Sequence, residues 1–135
     1  MATQIFLNLP VKDLNRSMQF FTGLGYTFNL QFTNDKAACM VVNEHIYVML
    51  LTEPFFKSFI KKEICDSSRY TEAITCFSAA NKAAVDQLAD KALSLGAIAY
   101  SDTIDQGFMY SRAFQDLDGH LWEIMYMDPT AIQQG

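Results

Sequence analysis

The spacing of apolar residues changes along the chain, and the changes mark the elements. Gln4 to Leu9 reads as a short strand that stops at Pro10, a residue suited to a strand end rather than to the interior of a ladder. Asp13 then offers an N-cap oxygen, and Leu14, Met18 and Phe21 recur at i, i+4 and i+7 up to Leu24-Gly25. This is the pattern of an amphipathic helix closed by glycine. Three strands follow: Tyr26 to Thr33, Ala37 to Val42 after the Asn34-Asp35 turn, and Ile46 to Leu51 after Asn43-Glu44. Phe55, Phe56, Phe59, Ile60 and Ile64 are spaced as on a helix between Glu53-Pro54 and the polar run Asp66-Ser67-Ser68-Arg69, which predicts a linker helix over about 53–69. Glu72 to Ala79 is a further strand, Asn81 caps a helix whose apolar face is Val85, Leu88, Ala89 and Ala92, and Leu95-Gly96 ends it. Strands resume at Ile98 to Ser101, Met109 to Phe114 and His120 to Tyr126.

The order strand, helix, three strands therefore occurs twice. A shift of 71 lays Leu14, Met18, Phe21 and Leu24-Gly25 on Val85, Ala89, Ala92 and Leu95-Gly96. A shift of 75 lays His45 to Leu50 on His120 to Met125, with Val48 opposite Glu123. The prediction is one α+β domain over 1–135, with βαβββ modules at about 4–52 and 70–128 joined by the linker helix.

Glu123 interrupts an otherwise apolar strand. Alternation puts Leu121, Glu123, Met125 and Met127 on one face and Trp122, Ile124 and Tyr126 on the other. Desolvating a lone carboxylate costs on the order of several kcal/mol, so Glu123 calls for a cation, a metal, a hydrogen-bonding network or a water-filled cavity. Folding the hairpin about Leu117-Asp118 brings Arg112 near Glu123, as a structural ion pair or as a holder of an anionic substrate. Tyr110, Met125 and the other aromatic and methionine residues read first as core and second as lining of an apolar cavity. His120 reads as a turn residue and Cys76 as a small buried hydrophobe.

Composition narrows the partners. The formal net charge is -5, the sequence pI is about 4.8, and no Lys/Arg stripe is present, which argues against nucleic acid and anionic membrane surfaces. Three cysteines without a C-x-x-C pair fit reduced thiols in the cytoplasm rather than a disulfide framework. No apolar run reaches the ~20 residues of a membrane span.

Val11-Lys12-Asp13-Leu14-Asn15-Arg16-Ser17 with Phe20-Phe21 and Leu24-Gly25, together with Asp116-Leu117-Asp118-Gly119-His120-Leu121-Trp122-Glu123, resemble the vicinal oxygen chelate superfamily of glyoxalases, bleomycin-resistance proteins and extradiol dioxygenases. The resemblance implies two βαβββ modules in a cupped mixed sheet around a ligand cavity, helices outside, and a homodimer. It also implies metal positions on the first and last strands of each module: near Phe6, Val48, Ile74 and Glu123, of which Glu123 alone is a donor. A slip of two residues brings in Gln4 or Asn8, and Glu72 or Cys76. With His45 and His120 the only histidines, a 2-His-1-carboxylate iron site or a full glyoxalase I metal set is disfavoured. The expected function is binding of a small organic molecule, with lyase or isomerase chemistry on Glu123 or with no chemistry at all. Glu123 is the expected catalytic group, and the metal ligand where a divalent metal is used. Phe6, Asn8, Val48, Ile74, Tyr110, Arg112 and Met125 are the expected substrate contacts. No cofactor is otherwise implied.

Overall fold

Asp13 and Asn81 start the two long helices in the same way. The Asp13 carboxylate accepts from Arg16 N–H at 3.1 Å and the Asn81 amide oxygen from Ala84 N–H at 2.8 Å. Both helices also stop alike. Tyr26 N–H donates to Phe21 O at 3.1 Å and Ala97 N–H to Ala92 O at 3.0 Å, each wrapped over a left-handed glycine, Gly25 at φ 106° and Gly96 at φ 109°.

A computed structural model describes residues 2–132, which fall into two units divided between Cys65 and Asp66. Unit 1 runs β1 (Ile5–Val11), α1 (Leu14–Gly23), β2 (Thr27–Phe28), β3 (Ala37–Val41), β4 (Ile46–Thr52) and α2 (Glu53–Lys57). Its open four-stranded sheet has the order β1-β4-β3-β2, with β1 parallel to β4 and the other pairs antiparallel. Unit 2 repeats the plan with β5 (Ile74–Ser78), α3 (Lys82–Ser94), β6 (Ile104–Asp105), β7 (Met109–Gln115), β8 (Leu121–Met127) and a final α4 (Pro129–Ile132). Its sheet order is β5-β8-β7-β6, again with the first and last strands parallel. The fold class is α+β, two βαβββ modules.

One face of each sheet is covered by its long helix, and the side-chain sizes are reversed between the units. In unit 1, α1 supplies the large Phe20 and Phe21 and the sheet supplies buried Ala38, Met40, Val48 and Leu50. In unit 2, α3 supplies small Val85, Ala89 and Ala92 and the sheet supplies Phe114, Trp122 and Ile124. In both units the bulkier side chains of one layer are buried against those of the other.

Three predicted elements are shorter than expected. The strand over Tyr26 to Thr33 is only Thr27–Phe28, because the Asn29 side chain accepts from Gln31 N–H at 3.0 Å and turns the chain into the 3-10 segment Leu30–Phe32. The linker helix ends at Lys57, where Ser58 Oγ donates back to Phe55 O at 2.6 Å and caps the last carbonyls; Asp66 then organises a separate turn through Ser68. Ile98 makes only a bridge with Gln115, and the edge strand of unit 2 is Ile104–Asp105.

Candidate functional site

The hairpin between β7 and β8 is built on one buried side chain. Asp116 Oδ1 accepts from the backbone N–H of Asp118 at 2.9 Å and of His120 at 3.0 Å, and Oδ2 accepts from the Trp122 indole at 2.8 Å. Burial raises the Asp116 pKa, against the opposing pull of His120, the indole and the two backbone donors. Gly119, at φ 92°, passes against the Ser67 carbonyl, where a Cβ would overlap backbone atoms, and Ser67 Oγ donates to Asp118 O at 2.6 Å. The acidic turn thus fixes where β8 begins and which of its residues face away from α3.

That free face presents Glu123. It pairs with Cys76 on β5 and Ala113 on β7, and shares its face with Leu121 and Met125, as alternation predicts. Its carboxylate is half-buried and accepts from the exposed Cys76 thiol at the long distance of 4.0 Å. Burial first, then the Glu123 charge, raises the Cys76 pKa, and the Tyr100 phenol is raised by burial, Glu123 and Cys76 in that order. Tyr100 Oη donates weakly to Trp122 O at 3.5 Å. The Glu123 charge therefore reaches both the thiol and the phenol, beside half-exposed Ile74.

In unit 1 the sheet face away from α1 is partly covered by α2 and the turn after it. Phe6 stacks on Tyr47 at 4.9 Å with the rings 9° from parallel, and one pleat further on Asn8 lines a pocket of about 440 Å³ with Leu51, Phe56, Phe59 and Ile60.

Three predicted contacts lie elsewhere. Arg112 is opposite Ile124, not Glu123, and so points to the α3 side, where Nη1 donates to Asp86 at 3.1 Å and Asp90 at 2.7 Å. Burial works against its charge, but the two aspartates prevail and raise its pKa. Tyr110 is on the same side and donates to Asp86 at 2.6 Å; that bond is the main cause of its raised pKa and of the lowered pKa of Asp86. Val48 has no exposed surface and faces α1. The register explains its displacement: Val41 pairs with Tyr47 and Gln115 with Leu121, so the units correspond by a shift of 74 and Met49 is the counterpart of Glu123. Sequence reasoning passed over Tyr100 because it lies in an irregular segment whose approach to Glu123 depends on tertiary folding.

Residues 3–43 match the family model described as bleomycin resistance protein-like N-terminal. A hypothetical protein from S. aureus has a TM-score of 0.78 at 24% identity, covering 93% of this chain and 94% of its own. A glyoxalase/bleomycin resistance protein/dioxygenase family enzyme from Burkholderia phytofirmans PsJN has a TM-score of 0.76 at 14% identity, with 93% and 99% covered. The chain has the vicinal oxygen chelate fold. The fosfomycin resistance protein FosX from Listeria monocytogenes shares that fold at a TM-score of 0.68 and 19% identity, with 93% of each chain covered. At these identities the likeness establishes architecture, and no curated protein matches the chain.

The vicinal oxygen chelate fold implies a metal in its metal-dependent members, and the donor chemistry here does not fit one. Cys76 and Glu123 are ladder partners, so the slip of two residues is the real register of β5, and it yields one thiol beside one carboxylate. Among the described residues no three His, Cys, Asp or Glu side chains converge, whereas N/O/S metal sites use three or four protein donors. His120 is tied into the Asp116 turn through its backbone, and His45 sits by Glu44 at 3.4 Å in an exposed turn.

Proposed function

We propose that the protein binds a small organic molecule on the face of its second sheet that points away from α3, with Glu123 as the polar group that meets the ligand. One observation carries the reading: Glu123 is a half-buried carboxylate on an apolar strand with no cationic partner among the described residues, because Arg112 is committed to Asp86 and Asp90 on the other face. A carboxylate so placed is compensated by a hydrogen-bond donor or positive group of a ligand. Ile74, Cys76 and Met125 surround it in the ladder. A carboxylate in contact with ligand can also shuttle a proton, which is the chemistry a lyase or isomerase of the glyoxalase kind would draw on. The match of residues 3–43 to a bleomycin resistance-type model supports the simpler reading, binding without turnover. In the same proposal the protein acts as a homodimer in the cytoplasm, in keeping with three cysteines that form no C-x-x-C pair.

A thermal-shift screen of several hundred small organic molecules tests this. Hits at a hundredfold excess over Kd add about 2.7 kcal/mol of stability, and these shifts should shrink or vanish in Glu123→Gln. Hits that stabilise the Gln variant equally would remove Glu123 from the ligand's environment.

A further inference from the structure

The pocket of unit 1 has a composition that specifies its occupant. Its described lining is one amide, Asn8, and four apolar side chains, Leu51, Phe56, Phe59 and Ile60. Asn8 comes from β1 and Leu51 from β4, on the face opposite the α1 side, while the other three come from α2 and the turn after it. The volume of about 440 Å³ is in the range of small-molecule sites and has room for a two-ring molecule.

We propose that this pocket binds an uncharged, flat aromatic molecule bearing a single O–H or N–H group, which donates to Asn8 Oδ1. The polarity of the anchor follows from the amide's existing bond. Asn8 Nδ2 donates to Phe6 O at 3.1 Å, a carbonyl that only the NH₂ end can satisfy, so the oxygen is the end left to accept. Among the described residues the lining offers no counterion, and a charged group lowered among two phenyl rings, a leucine and an isoleucine would lose its hydration without compensation. The preference for a flat ring follows from the aromatic surface on offer. Phe59 stands 67% exposed, edge-to-face with Phe55 at 4.9 Å, and the Phe6–Tyr47 stack lies one pleat from Asn8. The site rests on unit 1 residues alone and does not depend on the role given to Glu123.

The test uses three probes of one shape: 2-naphthol, 2-methoxynaphthalene and 2-naphthoate, titrated into the full chain labelled with nitrogen-15. The naphthol should bind and move the Asn8 side-chain amide signals and the backbone amides of Leu51 and Phe56 to Ile60. Its methyl ether should bind about three- to tenfold more weakly, the loss of one neutral hydrogen bond, and the anionic naphthoate at least about tenfold more weakly. Asn8→Ala, at an exposed position that leaves the core intact, should bind naphthol and ether alike, and Phe59→Ser should weaken both. The proposal is overturned by naphthoate binding as tightly as naphthol, by equal affinity of naphthol and ether for the wild type, by a difference that survives in Asn8→Ala, or by no binding. Perturbations confined to residues 121–125 would also overturn it while leaving the Glu123 reading standing.

Discussion

At Cys76 two effects push the thiol in one direction: burial first, then the negative charge of Glu123 at 4.0 Å. Its pKa lies above the ordinary 9.0, so the rate of alkylation by iodoacetamide, followed by mass spectrometry of the Cys76 peptide, should still be climbing at pH 9 and level off only above it. Glu123→Gln removes the second cause and should move that profile to lower pH; an unchanged profile would mean the two side chains do not sense each other. The sign for stability follows by linkage. A thiol with a raised folded pKa contributes stability that is full below pH 9.0 and is lost as pH rises through the folded value. The face of Glu123 was legible in the sequence because strand alternation is local. The partner of Glu123 was not, because folding the hairpin one residue out of phase exchanges the faces of an entire strand: Arg112 pairs with Ile124, and an apparent ion pair with Glu123 becomes one with Asp86 and Asp90.

The polar turn before β8 acts as a single element. Asp116 holds the Trp122 indole and two backbone N–H groups, and Asp116→Ala would remove the acceptor of three donors, two of them buried, at a cost of about 3 kcal/mol in chemical denaturation. Gly119→Ala combines an unfavourable φ with overlap on the Ser67 backbone and should cost at least about 2 kcal/mol. Wild-type stability in either variant would show that the turn is held by other contacts. The signature read from the sequence at Asp116 to Glu123 is thus mostly architecture, with Glu123 as its half-buried end. Caps and glycine stops at Asp13, Gly25, Asn81 and Gly96 were legible because a few neighbouring residues decide them. Strand lengths at Tyr26 to Thr33 and Ile98 to Ser101 were not, since an edge strand extends only as far as its neighbour offers partners.

Across the whole chain, duplication was visible in the helix stripes but misphased by one residue in the hairpins, where short apolar stretches align almost equally well at neighbouring shifts. The proposed homodimer predicts a light-scattering mass near twice 15.3 kDa at tens of micromolar, and a mass near 15.3 kDa would contradict it. Exposed Leu30, Phe32 and Ile98, at 78%, 64% and 62%, provide apolar surface for association. The most direct measurement of the function is amide chemical-shift mapping of the wild-type chain with the tightest hit of the thermal-shift screen. The expected result is perturbation of Ile74, Cys76 and residues 121–125 that disappears in Glu123→Gln. Perturbations that bypass these positions, or that persist unchanged in the variant, would contradict a ligand site built on Glu123.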